Sequence, residues 1–197
     1  MSAPEPVSPL ARHLTAGRYG APGDAPVYIS ERQCVLVQLF ARKGRGDDVA
    51  SAMQAGFDLQ LPSPGNAASA GEITALWIQP DAWMLVAPRG SEGALAARIK
   101  AACGDAGSVV DQTHGRTVLH ISGRRAAWVL AKLCRVDLHP SAFGPGRVAV
   151  TPVADLACVL HHSDAAPGFD LIVFSSYAVS FLESLTHAAL ETGYDVA

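Results

Sequence analysis

The chain is 197 residues long, 49% hydrophobic and 17% charged, with a formal net charge of −3 and a sequence pI near 6.1. A chain of this size buries a sizeable core as one large domain or two small ones, and its mildly acidic balance provides no basic field to draw in a nucleic-acid backbone. No apolar run approaches the ~18 to 20 residues of a membrane-spanning helix, so neither nucleic acid nor membrane is expected as a partner.

The first 31 residues hold prolines at 4, 6, 9, 22 and 26 with Gly17, Gly20 and Gly23 among them, so neither helix nor strand can run far. Val7, Leu10, Leu14, Tyr19, Val27 and Tyr28 are too sparse for a core of their own. They suit an arm over 1–31 that is disordered in isolation, or that drapes over a core or over another chain. The opening residues also lack a basic stretch followed by an apolar segment of secretory type, which points to a cytoplasmic, reduced protein. In that setting Cys34, Cys103, Cys134 and Cys158, far apart and without a CxxC pair, read as small hydrophobes.

From Gln33 the pattern changes. CVLVQLFAR predicts a buried strand, a short helix follows over 47–55, and LPSPGNAASAG (61–71) reads as a linker. ITALWIQP and AWMLVAP predict a hairpin around Pro80-Asp81. Ser91 then stands where it can cap a helix in GALAARIKAA, whose Leu95, Ile99 and Ala102 share one face. The order recurs with a strand over 117–122, a helix over 124–134, strands over 147–153, 156–161 and 169–174, and a helix over 176–191. WMLVAPRGSEGALAARI, from Trp83, aligns without gaps to FDLIVFSSYAVSFLESL, from Phe169, matching Leu85 with Leu171 and Leu95 with Phe181. The predicted fold class is α+β: a domain over 32–197 of two tandem βαββα-like units, joined near 111–117.

Residues 109–123, VVDQTHGRTVLHISG, place Asp111, His114 and Arg116 at that join. A catalytic reading makes His114 a base, Asp111 its orienter and Thr113 or Ser122 the nucleophile. Triad members normally come from distant segments, and no G-x-S-x-G elbow is present. A turn at His114-Gly115, with the glycine supplying positive φ, explains the same residues. His161, His162 and Asp164 resemble a metal set, but strand neighbours point to opposite faces, so only one histidine could join Asp164. His139-Pro140 is expected at a helix C-terminus, where the imidazole meets the negative end of the dipole. Gly44-Arg45-Gly46 lacks the third glycine of a dinucleotide loop, and Asp47 and Asp48 would repel a pyrophosphate. No catalytic, cofactor-binding or metal-binding residue is nominated. Trp128 is different: on the helix over 124–134 it falls opposite the apolar stripe of Ala126, Val129, Leu130 and Leu133, among Arg124, Lys132 and Arg135. It reads as an interface anchor or as a ring covered by a local loop.

SPLA (8–11), ALWIQPDAWMLVAP (75–88), HGRTVLHISG (114–123), VLAKLCRVDLHPSAFGPGRVAVT (129–151) and FDLIVFSSYAVSFLESL (169–185) resemble the gamma subunit of heterotetrameric sarcosine oxidase. The resemblance keeps its order along essentially the whole chain. It implies a fold similar to the folate-binding domain of aminomethyltransferases. It also implies a small non-catalytic subunit of an alpha, beta, gamma, delta enzyme that demethylates sarcosine to glycine, giving 5,10-methylenetetrahydrofolate and hydrogen peroxide. FAD, FMN, NAD, tetrahydrofolate and zinc are then expected in the alpha, beta and delta partners, and none in this chain. Alpha is expected in direct contact, with Trp128, Arg124, Arg135 and Leu10 as candidate interface residues. Similar gamma chains occur in N-methylglutamate dehydrogenase, which leaves the amine substrate open. A free-standing folate-binding protein is the third reading, although the Lys-Gly-Cys-x-x-Gly-Gln-Glu type motif of such relatives has no counterpart here.

Overall fold

The computed structural model describes residues 7–22, 26–163 and 168–196. The first half runs β1 (Gly17–Tyr19), β2 (Val27–Glu31), β3 (Cys34–Ala41), α1 (Gly46–Phe57), β4 (Ala67–Ala70), β5 (Ile73–Gln79), β6 (Ala82–Pro88), α2 (Ala94–Cys103) and β7 (Gly107–Asp111). The second continues with β8 (Arg116–Ser122), α3 (Ala126–Leu130), β9 (Val148–Val153), β10 (Leu156–Ser163), β11 (Gly168–Phe174), α4 (Ala178–Ala189) and β12 (Tyr194–Val196). Among the described residues no helix is long and apolar enough to cross a membrane.

Two sheets form, in the orders β4-β5-β6-β3-β7 and β9-β10-β11-β8-β2-β12-β1. The tandem units are visible in these orders, since β4-β5-β6-β3 and β9-β10-β11-β8 take equivalent places. Ala82–Pro88 and Gly168–Phe174 also coincide in the gapless alignment read from the sequence. The near-continuous apolar character of β3, β6 and β11 follows from burial on both faces. On β3, Val35, Val37 and Leu39 meet Val49 and Met53 of α1 and Leu95 and Ile99 of α2. The alternate residues Cys34 and Leu36 meet Val118, Val148, Val159 and Ile172 of the other sheet. On the far side Leu119, Leu171 and Val173 pack on Val129 of α3 and on Phe181 and Leu185 of α4. The layers therefore run helices, sheet, sheet, helices, and the central layer belongs to both halves.

The proline-rich segment enters the second sheet. β2 pairs antiparallel with β8 and parallel with β12, so it stands between two strands whose first-half counterparts, β3 and β7, bond directly. Leu10, Val27 and Ile29 lie in the core shared with α3 and α4. The sparse apolar residues of this segment thus complete a core that the remainder of the chain begins.

Four local expectations change. The linker over 61–71 contains β4, which pairs with β5 and adds ladder bonds that its small residues did not announce. α2 starts at Ala94 after Gly93 with no side-chain cap, and Ser91 contributes its backbone carbonyl to Leu95 N–H at 3.0 Å. The helix expected over 124–134 stops at Leu130 and tightens into a turn, the carbonyl of Leu133 accepting from Ala154 N–H at 2.9 Å. With the helix ended there, His139 meets no helix dipole; its ring pairs with Ser141 Oγ at 2.7 Å, and its carbonyl closes a turn onto Ala142 and Phe143.

Because Leu10 is 0% exposed, Leu10→Ala should cost about 2–5 kcal/mol of folding stability. A residue merely lying on the surface would cost less than about 0.5 kcal/mol. Urea unfolding of the two proteins separates these outcomes.

Candidate functional site

The residues at the join of the halves form a turn. Asp111 Oδ1 accepts from Thr113 N–H at 2.9 Å and Oδ2 from Gly93 N–H at 3.2 Å. Burial pushes the Asp111 pKa up, but bonds from Thr113 and Gly93 and the neighbouring His114 outweigh it and hold the carboxyl below its ordinary value. Thr113 is buried, and its Oγ1 accepts from Leu36 N–H at 3.1 Å. Ser122 lies at the opposite end of β8, about 20 Å along the strand from His114. Neither Thr113 nor Ser122 bonds to the His114 ring; the serine that meets this residue is Ser175, whose Oγ donates to the His114 backbone carbonyl at 3.1 Å. One detail of the turn differs from expectation: Gly115 does not take a positive φ. Gln112 carbonyl accepts from both Gly115 and Arg116 N–H at 3.0 Å, and this closure needs no left-handed residue.

His161 and His162 do point to opposite faces of β10. His162 Nδ1 donates to Phe143 carbonyl at 2.7 Å and its ring stacks 4.5 Å from Phe169. Asp164 lies outside the described residues, and among those described no three His, Cys, Asp or Glu are placed to hold a metal ion. Arg45 starts α1 and pairs with Asp48, so the Gly44-Arg45-Gly46 turn answers to its own helix. Burial pushes the Cys34 thiol up to about 11 and raises those of Cys103, Cys134 and Cys158, which places none of them as a ready thiolate.

The strongest electrostatic feature was not nominated from the sequence. Asp170 sits in the middle of β11, in register with His161 on one neighbour and His120 on the other, all three facing the central layer. Its Oδ1 accepts from His120 Nδ1 at 2.8 Å, while Oδ2 pairs with Arg32 and faces His161 Nδ1 at 3.6 Å. Burial would raise its pKa; bonds from His120 and His161 and the charge of Arg32 outweigh that and hold it well below the usual carboxylate range. Both oxygens are engaged, so the carboxylate ties three strands to the end of β2. The available signal was FDLI and LHIS: a single polar residue, Asp170 or His120, set between apolar neighbours within a strand.

On the outside of the second half, Trp128 is 42% exposed. Lys132 Nζ stands 3.7 Å from its ring centroid and the Arg125 guanidinium 5.9 Å away. Lys132 also donates to Ala188 carbonyl and Glu191 Oε2, each at 2.9 Å, which ties this cation to the end of α4. Arg124 and Arg135 are exposed nearby in sequence, but Arg125, not nominated, is the arginine that meets the ring. Leu10 is corrected as an interface candidate, because its complete burial within its own chain leaves no surface to offer.

Residues 43–191 match the sarcosine oxidase, gamma subunit family. The sarcosine oxidase subunit gamma of Arthrobacter sp is 35% identical over 148 residues, 73% of this chain and 71% of that protein. That of Corynebacterium sp. (strain U-96) is 34% identical over 155 residues, 76% of this chain and 74% of that protein. Among solved structures, the heterotetrameric sarcosine oxidase from Corynebacterium sp. U-96 in complex with pyrrole 2-carboxylate contains a chain that superposes with a TM-score of 0.81 at 27% identity. The match covers 94% of this chain and 96% of that one. The glycine cleavage system aminomethyltransferase T from Bartonella henselae superposes with a TM-score of 0.61 at 18% identity over 82% of this chain and 45% of that protein, a likeness of fold.

A folded-state pKa below the unfolded value means that Asp170 contributes stability above about pH 4 and loses it as the pH falls further. Asp170→Asn should cost about 2–3 kcal/mol at neutral pH, less than a fully buried broken pair because the Arg32 side chain is half exposed. The gap between wild type and variant should narrow on acidification below about pH 4, as read by denaturant unfolding across pH.

Proposed function

The chain belongs to the sarcosine oxidase gamma subunit family, and from that membership we propose that it serves as the non-catalytic gamma subunit of a heterotetrameric sarcosine oxidase. The assembled enzyme oxidatively demethylates sarcosine to glycine, giving 5,10-methylenetetrahydrofolate and hydrogen peroxide. The observation that carries this reading is the end-to-end superposition on one chain of such an oxidase, with both chains almost fully covered. The alpha, beta and delta subunits are its partners and hold FAD, FMN, NAD, tetrahydrofolate and zinc. Alpha is the direct neighbour, and the cytoplasm is the compartment.

The local chemistry supports a supporting role. Thr113, Asp111 and Asp170, the groups best placed by type to react, are each engaged by backbone or side-chain partners inside the fold. Trp128 offers the opposite case: a large ring, held by an anchored lysine, with nearly half its surface open. Rigid aromatics with cationic neighbours dominate many interfaces because they bury much area at small entropic cost. Trp128, with Arg124 and Arg135, is therefore the proposed contact surface for alpha.

Affinity isolation of the tagged chain from its native cells should recover larger, flavin-bearing chains and sarcosine-dependent peroxide formation. Turnover of N-methylglutamate in place of sarcosine would reassign the substrate, and a colourless chain recovered alone that binds folate would overturn the subunit assignment. Trp128→Ala should weaken assembly by roughly 30-fold, equivalent to about 2 kcal/mol. His114→Ala should leave turnover of the assembled enzyme within about twofold of wild type, and a larger loss without loss of assembly would restore His114 as a catalytic candidate.

A further inference from the structure

Where the two halves meet, a cleft of about 90 Å³ is lined by Val7, Glu31, Arg32, Arg89, Arg116 and Ser175, among others. Among the described residues its Glu and Arg side chains other than Arg116 each have a hydrogen-bond or ion-pair partner, although Glu31 is met by a hydroxyl and not by a cation. Arg32 pairs with Asp170, Arg89 with Glu92 and Gln33, and Glu31 accepts from Ser8 Oγ at 2.7 Å. Arg116 has no carboxylate among the described residues, and its buried Nε has no hydrogen-bond acceptor there. The guanidinium lies 3.7 Å over the Phe174 ring, and burial alone lowers its pKa from the ordinary arginine value. A half-buried cation without an anion is an unfavourable arrangement, since desolvation is not offset by pairing.

The surroundings of Arg116 discriminate between a dissolved anion and a protein. Val7, on the lining, is 81% exposed, and Phe174, beneath the guanidinium, is 40% exposed. These two exposed apolar side chains stand beside an otherwise largely polar lining, and a second surface arriving there would exclude water from around the guanidinium.

We propose that this cleft is a docking socket for an aspartate or glutamate side chain of a partner subunit, whose carboxylate pairs with Arg116 over Phe174. The inference rests on the gamma-subunit reading and extends it, giving the assembly a second, charge-specific contact at the join of the two halves, separate from Trp128. Guanidinium geometry suits it, since two parallel N–H donors meet a carboxylate and the Nε gains its missing acceptor.

The test uses the tagged full chain co-expressed with its partner chains. Arg116→Met keeps the side-chain stem against Phe174 and removes the charge. It should fold with an unchanged melting temperature, lower co-isolation of the partners by at least about tenfold, and make the remaining association less sensitive to salt than that of wild type. For Arg116→Lys, zero-length carbodiimide coupling in the assembled complex should join the introduced amine to an Asp or Glu of another chain, seen as a cross-linked peptide by mass spectrometry. Coupling to an acid of this chain alone, or no coupling with undiminished assembly of Arg116→Met, overturns the socket and leaves the subunit assignment standing. A wild-type chain that isolates without partners removes both. Arg116-dependent binding of acetate or inorganic phosphate by the isolated chain, with assembly unaffected, identifies a small-anion site and also overturns the socket.

Discussion

Each sheet in this protein is apolar on both faces, and helices cover only one face of each. The uncovered faces, carrying Leu36, Leu76 and Met84 on one sheet and Val118, Val148, Val159 and Ile172 on the other, have to cover each other. Non-directional burial of apolar area thus joins the two halves into one cooperative body. The same layer admits Asp170 only because His120, His161 and Arg32 surround it; an isolated carboxylate there would meet a desolvation cost of several kcal/mol.

That constraint explains the path of the N-terminal segment. The second sheet, without β2, would leave β8 and β12 with unpaired edges and the helix-facing core without Leu10, Val27 and Ile29. β2 supplies the hydrogen bonds and the side chains together, and Arg32, immediately beyond it, supplies the cation for Asp170. Duplication is therefore imperfect for a physical reason: in the second half, a strand from far upstream occupies the position next to β8 that β7 holds next to β3.

A division of labour follows. Asp111, Thr113 and Asp170 lie inside or at turns, where their side chains are engaged in holding the fold. Two features stand apart: the exposed Trp128 ring braced by Lys132, and half-buried Arg116, whose Nε has no hydrogen-bond acceptor among the described residues. Such a surface suits a protein that works by contact.

The α+β class, the order of most elements between β3 and α4, the β5–β6 hairpin and the β6–α2 to β11–α4 likeness were legible in the sequence, whereas β1, β2, β4 and β12 were not. Apolar periodicity and turn residues are local properties, and the halves repeat them. The family resemblance was likewise legible, in ordered segments such as WIQPDAWMLV and DLHPSAFGPGR. Tertiary structure alone decided the rest. Leu10 looked like a residue of a loose arm because nothing nearby in sequence could bury it; the core that does so comes from α3, α4 and the second sheet. The helix after Arg125 ends at Leu130, and in the turn that follows the carbonyl of Leu133 accepts from Ala154 N–H of a hairpin more than twenty residues downstream. Asp170, His120, His161 and Arg32 span 138 positions, and only strand register places them within bonding distance. Periodicity reports which face a residue occupies; what stands opposite that face is set by how the chain returns upon itself.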